Sequence, residues 1–273
     1  MSVNFGPGLH AAIGRRVDRS AYDRYVGRWS RLFVPAVLAA AEVAASHRIL
    51  DVATGPGEAA SMALSQVGPS GLVVGADISV AMLNVADRRL ADRRFQPVAT
   101  DGQVLPFADG SFDSVICQLG LMFFPDPARG LEEFCRVLRP RRCAAVCVIS
   151  TPERAPMWGV LAETLSQYLP DQREVLHLSF ALADAGHLER LLAAASFREI
   201  SVRRETHEGS FESFDDYWAP IEEAAGSLPQ AYRALPESSR RAVREDVHAR
   251  LAAFESNGRL VMTVEMLIGA GRT

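Results

Sequence analysis

Short apolar runs alternate with helical patterns between residues 47 and 150, and this alternation constrains the fold more than any other feature of the sequence. Strand character is found at residues 47–52, 72–77, 96–100, 114–118 and 143–149. Strands that are separated by helices pair in parallel through right-handed crossovers. The pattern therefore predicts a parallel sheet with helices packed on it.

The chain on either side of this alternation is mainly helical. Residues 1–46 predict a polar start followed by a helix that would act as a lid, and residues 151–195 and 237–254 predict further helices. Residues 197–206 and 259–268 alternate as strands and would add an antiparallel pair to the edge of the sheet.

The expected fold class is therefore α/β, a doubly wound, Rossmann-like arrangement. We expect a seven-stranded sheet that is mostly parallel, with an antiparallel last strand. The predicted division is a helical amino-terminal lid at 1–46, a ligand-binding core at 47–150, and a helical insertion or substrate cap with the last two strands at 151–273.

A glycine-rich turn follows the first predicted strand. Asp51 closes the strand, and Thr54, Gly55 and Gly57 follow in the motif DVATGPG, ahead of a predicted helix. Glycine lets the backbone approach a ligand closely, and the free N–H groups of a helix N-terminus bind polar or anionic groups. The same spacing satisfies the dinucleotide pattern G-x-G-x-x-G/A, and a turn shaped only for packing is a further alternative.

Acidic residues also end the next two predicted strands. Asp77 closes LVVGAD, where a carboxylate can accept hydrogen bonds from two ribose hydroxyls. Asp101, followed by Gly102, takes the same place after the third strand and can accept from an adenine amino group. A helix cap is the alternative for Asp77, although Ser79 is available for that role, and a plain turn is the alternative for Asp101 and Gly102.

Taken in order, these motifs resemble those of class I S-adenosylmethionine (SAM) dependent methyltransferases. The resemblance is greatest to the UbiE-like group of ubiquinone and menaquinone biosynthesis, and segments 101–113, 118–126 and 131–140 contribute to it. It implies a methyltransferase (EC 2.1.1 type) with SAM as cofactor. The methyl group would pass by in-line displacement to an O, N or C atom of a small, fairly hydrophobic metabolite.

The same resemblance implies a role for individual residues. The glycine turn would surround the methionine part of SAM, and Asp77 would bind the ribose. The family often has glycine where this chain has Ala53. The complete implied cofactor set is Tyr25, Arg28, Asp51, Ala53, Thr54, Gly55, Gly57, Asp77, Ile78, Met82, Asp101, Gly102, Gln118 and Leu119.

Residues 22–30, YDRYVGRWS, resemble the family's segment that closes over the cofactor. Tyr25 would supply a ring wall and Arg28 a partner for the cofactor carboxylate, whereas a plain surface helix with a packed tryptophan is the alternative. His177 is the candidate for a general base, with a structural role as its alternative, and no catalytic residue is assigned. The expected substrate pocket consists of Trp29, Met122, Met157, Trp158, His177 and Phe180.

Composition limits the remaining possibilities. The formal charge of −4 provides no basic field for a phosphate backbone, so we expect no nucleic acid partner. All 29 basic residues are arginine, and the absence of lysine excludes Schiff-base chemistry and the Walker phosphate loop. No metal-ligand spacing and no membrane span is found in the sequence. We expect a cytoplasmic monomer or homodimer that acts on a small-molecule acceptor.

Two other functions fit parts of the same pattern. An NAD-dependent oxidoreductase shares the glycine turn and the ribose-binding acid, but no constellation for hydride transfer is evident. A SAM-binding protein or a cyclase that uses the cofactor without methyl transfer would keep every motif, since function resides in the site rather than in the fold.

Overall fold

The computed structural model describes residues 23–223 and 226–273. The first part of the predicted lid, residues 1–22, lies outside the described residues. A π-helical turn at Asp23–Gly27 leads into the first α-helix. The α-helices are α1 (Arg28–Ala40), α2 (Glu58–Val67), α3 (Val80–Leu90), α4 (Pro127–Val137), α5 (Pro156–Tyr168), α6 (Arg173–Leu176), α7 (Ala185–Ala194), α8 (Phe214–Glu222), α9 (Ser227–Ala234) and α10 (Glu237–Leu251).

One sheet holds all the described strands. They are β1 (Arg48–Val52), β2 (Leu72–Asp77), β3 (Phe95–Ala99), β4 (Phe112–Gln118), β5 (Leu138–Ile149), β6 (Arg198–Phe211), β7 (Glu255–Ser256) and β8 (Arg259–Arg272). Their order is β3-β2-β1-β4-β5-β8-β6, and the two-residue β7 pairs with β8. Strands β1 to β5 are parallel, whereas β8 is antiparallel to both of its neighbours. The predicted fold class is confirmed.

The parallel strands owe their burial to near-continuous apolar sequence. Ile49 and Leu50 of β1 and Val115 and Ile116 of β4 are all fully buried. Such runs are typical of a parallel sheet that is covered on both faces. Helices α1 and α2 pack against each other, and α4 and α7 form a second contacting pair.

The two long antiparallel strands, β6 and β8, extend further than their sequence pattern predicts. The last strand was expected to end at residue 268, yet β8 continues to Arg272 because it pairs with β5 on one side and β6 on the other. Gly269 and Gly271 break the apolar pattern. In the fold they leave room for side chains that pack on this end of the strand, namely Leu188, Leu192 and Phe197.

The eighth strand, β7, was not predicted from the sequence. It forms a hairpin with β8 through Asn257 and Gly258, which both have positive φ angles of 51° and 77°. An Asn-Gly pair with both residues in the left-handed region is the favoured two-residue hairpin turn. Within the part of the chain that the structure describes, no helix is both long and apolar enough to cross a membrane.

Candidate functional site

A narrow crevice opens at the carboxyl ends of β1 and β4. The strand order reverses at this point, since β1 has β2 on one side and β4 on the other. Open α/β sheets bind their ligands at such a switch point. The crevice is lined by Val26, Ser30, Asp51, Ala53, Thr54, Gly55, Pro56, Glu58, Ala59, Gln118 and Leu119. We call residues 51–57 together with Asp77 the floor, and residues 23–30, which lie over them, the roof.

Main-chain hydrogen bonds attach the glycine turn to the neighbouring strand. The Thr54 N–H donates to the carbonyl of Ala76 at 3.1 Å, and the Gly55 N–H donates to Asp77 Oδ2 at 2.8 Å. Gly57 has a φ of 84° and is the N-cap of α2. The turn predicted from the sequence is therefore tied directly to the second acid.

Two residues of the crevice adopt backbone angles that glycine favours. Ala53 has a φ of 56° and Leu119 a φ of 57°. The left-handed region is costly for a residue with a Cβ. Gly120 lets the chain after β4 pass close to Ala53, because a Cβ at position 120 would lie 2.4 Å from the Cβ of Ala53.

Asp51 is completely buried, and among the described residues only one of its two carboxylate oxygens has a hydrogen-bond partner. The Thr54 hydroxyl donates to its Oδ2 at 2.6 Å, while Oδ1 has no hydrogen-bond partner among the described residues. Burial raises the pKa of Asp51 to about 7, although the bond from Thr54 opposes this shift. The crevice thus holds a buried carboxyl group that can gain or lose its proton near neutral pH.

Asp77 uses both of its oxygens to brace the site. Oδ2 accepts from Gly55, and Oδ1 accepts from the Ser79 N–H at 2.8 Å. Burial raises the pKa of Asp77 above its usual range, against the effect of these two bonds. Ser79 caps α3 by accepting from the Met82 N–H, which places Ile78 and Met82 at the start of that helix.

Asp101 lies beside the end of β2 but is held within its own loop. The preceding Thr100 N–H donates to the Asp77 carbonyl at 3.0 Å. The Asp101 carboxylate accepts from the main-chain N–H of Gln103 at 2.9 Å and from its side-chain amide. Gly102 is needed for close packing, since a Cβ there would lie 2.4 Å from the Phe124 ring. Gln103 is a structural partner that the sequence analysis missed.

Gln118 joins the end of β4 to the roof. Its side-chain N–H donates to the Ser30 carbonyl at 2.9 Å. Its Oε1 is buried and has no partner in the described part of the chain. A second link comes from Arg89 of α3, which pairs with both Asp23 and Glu58. Sequence analysis also missed Glu58, although its position directly after the glycine turn is a usable signal.

Three roof side chains that the sequence analysis placed at the site, Tyr25, Arg28 and Trp29, do not line the crevice. The Arg28 guanidinium lies over the Phe211 ring and contacts the Asp216 carboxylate and the Ser210 carbonyl, both at 3.3 Å. These contacts occupy the Arg28 guanidinium, and its bond to a cofactor carboxylate stays a prediction. Tyr25 and Trp29 are buried, and the neighbouring Val26 and Ser30 line the crevice in their place.

The expected substrate pocket is part of the hydrophobic core. Met122, Met157, Trp158 and Phe180 are all buried there. His177 lies 3.4 Å from the Glu163 carboxylate and contacts the Phe180 ring. None of these residues lines the crevice as the structure describes it, so a catalytic role for His177 gains no support from the geometry.

Comparison with known proteins agrees with this geometry. Residues 50–144 match the family model described as a methyltransferase domain. A demethylmenaquinone methyltransferase of Corynebacterium kroppenstedtii is 33% identical over 172 residues, which cover 59% of this chain and 72% of that protein. The chain belongs to the UbiE-like class I methyltransferases.

Other relatives of this UbiE-like protein match over a smaller share of their length. A demethylmenaquinone methyltransferase of Clavibacter sepedonicus is 42% identical over 152 residues, 54% of this chain and 60% of that protein. The chain thus matches less than two thirds of the length of this relative. A phosphoethanolamine N-methyltransferase 2 from Haemonchus contortus, solved with S-adenosylhomocysteine, shares the fold with a TM-score of 0.63 at 18% identity, over 99% of this chain and 60% of that one.

The crevice of the UbiE-like protein fits the cofactor of its family, SAM. Asp51 Oδ1 and Gln118 Oε1 are buried acceptors without partners in the described residues. Buried polar atoms are rarely left unpaired in native proteins, so these two oxygens call for a donor that residues 23–223 and 226–273 do not supply. The ammonium group of SAM is such a donor.

Proposed function

We propose that this protein transfers the methyl group of SAM to a small, fairly hydrophobic acceptor, and that the acceptor is a quinone-type ring compound. The observation that carries the proposal is the pair of unpartnered buried oxygens on Asp51 and Gln118, which meet in one crevice with the glycine turn. The names of the similar proteins, demethylmenaquinone methyltransferases, support the acceptor class.

The residues of the floor would hold the cofactor by hydrogen bonds. Asp51 Oδ1 and Gln118 Oε1 accept from its ammonium group, and Asp77 retains lone pairs for the ribose hydroxyls. Asp101 and Gly102 stand beside the end of β2, where the adenine edge would lie. When bound, SAM supplies a methyl group on a positively charged sulfur, already activated for displacement.

The chain contributes alignment rather than proton transfer in this proposal. None of the described residues that line the crevice is a histidine or a cysteine, and its two carboxylates have other partners, the SAM ammonium for Asp51 and Arg89 for Glu58. The thiol of Cys117 behind the floor has its pKa raised to about 12 by burial. Proximity and orientation can supply on the order of 7–11 kcal/mol of a reaction barrier. An acceptor that is already ionised needs no base.

We also propose that the protein is cytoplasmic, works as a monomer or homodimer and binds no nucleic acid. The negative formal charge supports the last point. In the same proposal, the segment before β1 acts as a lid and residues 151–273 supply the substrate cap.

Calorimetric titration with SAM, S-adenosylhomocysteine and NAD tests the site. We expect SAM and S-adenosylhomocysteine to bind and NAD to give no heat, and binding of NAD alone would overturn the proposal. As matched variants, Asp51→Asn should weaken SAM binding, whereas Asp113→Asn, at the other end of the sheet, should not.

Transfer of labelled methyl from SAM to demethylmenaquinone that has been reduced to its hydroquinone form tests the activity, because only the reduced ring is nucleophilic. We expect a labelled product whose mass increases by one methyl group. Tight SAM binding without any labelled product, from this quinone or from a metabolite extract, would favour the binding-protein or cyclase alternative.

A further inference from the structure

Four aromatic residues form a cluster between the roof and the late strands. Tyr25 and Trp29 come from the roof, Phe211 ends β6, and Tyr217 lies on α8. The Trp29 and Phe211 ring centroids are 4.9 Å apart, and those of Phe211 and Tyr217 are 5.2 Å apart. Trp29 can pack here because β6 has Gly209, where a Cβ would fall 1.5 Å from its ring. We call these four residues the aromatic cluster.

Two polar atoms of the aromatic cluster are buried without a partner. Tyr25 is 3% exposed and Trp29 is 4% exposed, and neither the Tyr25 hydroxyl nor the Trp29 Nε1–H finds a hydrogen-bond partner within residues 23–223 and 226–273. By contrast, the Tyr217 hydroxyl donates to the Met157 carbonyl at 2.8 Å. A buried donor left unpaired is costly, so a pair of them four residues apart needs an explanation.

The aromatic cluster adjoins the cofactor crevice. Val26 and Ser30 each follow a cluster residue by one position and line the crevice. Residues four apart on a helical segment lie on one face, so Tyr25 and Trp29 share a face beside that of Val26 and Ser30. The two donors are buried and do not line the crevice in this structure, so a ring at its mouth reaches them with an oxygen only when the roof shifts outward.

The chemistry of the two donors limits the group they can bind. The indole nitrogen of Trp29 only donates, so its partner must be an acceptor and cannot be an ammonium group. Arg28, the cation beside the aromatic cluster, already contacts Asp216, which favours a neutral oxygen over a carboxylate. The surrounding rings favour an apolar, flat molecule.

We propose that Tyr25 and Trp29 select the methyl acceptor by donating hydrogen bonds to a carbonyl or hydroxyl oxygen on its ring. The inference rests on the proposed function. It keeps Trp29 at the acceptor, where the sequence analysis placed it, and names the oxygen that its N–H would bind. It also reassigns Tyr25, which the sequence placed at the cofactor, to the acceptor.

Binding of a matched pair of small ligands tests this inference without requiring turnover. 1-Tetralone has two fused rings and one carbonyl oxygen, and tetralin has the same skeleton without oxygen. The protein is first saturated with S-adenosylhomocysteine, and binding is followed by ligand-detected magnetic resonance. We expect 1-tetralone to bind about tenfold more tightly than tetralin, because one hydrogen bond contributes roughly that factor to the affinity. Equal affinity for the two ligands would overturn the inference.

Phenylalanine variants remove each donor and leave an aromatic ring in its place, although at position 29 that ring is smaller than indole. Tyr25→Phe and Trp29→Phe should each lose most of the preference for 1-tetralone while tetralin and S-adenosylhomocysteine bind as before. Thr164→Val is the control, because Thr164 also has a buried hydroxyl without a partner in the described chain, and it should leave the preference unchanged. An undiminished preference in both phenylalanine variants would show that the two residues only pack.

These outcomes are separate from those of the proposed function. Failure to bind S-adenosylhomocysteine or to transfer methyl would contradict the proposed function, whereas the tetralone preference reports on Tyr25 and Trp29 alone. In an active enzyme, the same variants should raise the KM for the acceptor and leave the KM for SAM unchanged.

Discussion

The floor and the roof of the crevice are built in opposite ways. The floor is made from parts of the chain that are close in sequence: Asp51 accepts a hydrogen bond from Thr54, and Asp77 accepts one from Gly55, 22 positions away. The roof is attached to residues almost 200 positions later, since Arg24 pairs with Glu223 and Arg28 with Asp216. The floor bonds are buried or half-buried, whereas the Arg24–Glu223 pair is exposed.

The two halves of the crevice therefore differ in how firmly their geometry is fixed. Hydrogen bonds in a buried setting are strong and hold a fixed geometry, so the floor is already shaped for its ligand. Exposed ion pairs contribute little and are weakened by salt. We therefore expect the roof, beginning at the exposed turn around Arg24, to be the half that moves when a ligand enters.

The largest effect is expected from Asp51. Burial raises the pKa of its carboxyl to about 7 in the folded protein, from an ordinary value of 3.8. Between these values the folded state holds a proton that the unfolded state has lost, so stability falls as pH rises from about 4 to 7. Asp51→Asn removes this loss and should stabilise the ligand-free protein at pH 8 by up to about 4 kcal/mol, measured by urea unfolding at pH 5 and pH 8.

Asp113 supplies a control of opposite sign. Burial raises its pKa, but the Arg48 N–H and the Arg139 and Arg142 guanidinium groups outweigh that effect and hold the pKa below its usual range. The stability it provides is present above the unfolded pKa and is lost as pH falls through the lower, folded value. Asp113→Asn should therefore destabilise the protein at pH 8. Matching pH profiles for the two variants would contradict the proposed state of Asp51.

Asp77 should give the next largest effect. Asp77→Ala removes the acceptor of the Gly55 and Ser79 N–H groups as well as that of the ribose, and we expect about a hundredfold loss of SAM affinity, measured by calorimetry. The ligand 2′-deoxy-S-adenosylhomocysteine lacks one ribose hydroxyl, so it distinguishes binding of the ribose by Asp77 from the role of Asp77 in holding the glycine turn. Wild type should discriminate against the deoxy ligand, and the variant should bind both forms equally weakly. Equal discrimination in both proteins would limit Asp77 to bracing the turn.

Gly120 tests how tightly the floor is packed. A Cβ at this position would lie 2.4 Å from Ala53 Cβ and 3.0 Å from the Cys117 sulfur. Gly120→Ala should therefore destabilise the protein by about 2 kcal/mol, as overpacked cores usually do, and should also weaken SAM binding. Gly186→Ala is the control, because the added methyl meets only flexible side-chain ends and alanine favours the helix. An unchanged melting temperature in Gly120→Ala would show that the floor yields more than we infer.

The smallest effect is expected at the roof. Glu223→Gln neutralises the partner of Arg24 in an exposed ion pair, so the change in stability should stay below about 1 kcal/mol. The rate of SAM release, followed by stopped flow, should rise less than about fivefold, and 0.5 M salt should abolish the difference. A larger, salt-independent effect would mean that the roof is as fixed as the floor.

The floor could be predicted from the sequence because its constraints are local. A glycine turn after one strand and an acid at the end of the next are adjacent in any parallel sheet, so Asp51 and Asp77 meet as soon as the strands pair. The antiparallel last strand could be predicted from the two late strand patterns at residues 197–206 and 259–268.

The roof and the acceptor side could not be predicted in the same way. The direction of Arg28 depends on Asp216, and the burial of Trp29 depends on Gly209. Neither contact can be inferred from the spacing of the residues in the sequence. Met157 and Trp158 have the composition of a pocket wall but are buried in the core. Apolar side chains serve both purposes, and only tertiary packing decides between them.

The position of β8 in the sheet determines the order in which parts of the molecule can fold. β8 lies between β5 and β6, so β6 has no neighbour in the sheet until β8 has docked. Contacts between distant parts of a chain form slowly because a long loop must first be closed. The parallel half with the floor can thus assemble while the chain is still being synthesised, whereas the aromatic cluster on β6 and α8 gains its final setting only after the last strand has been inserted.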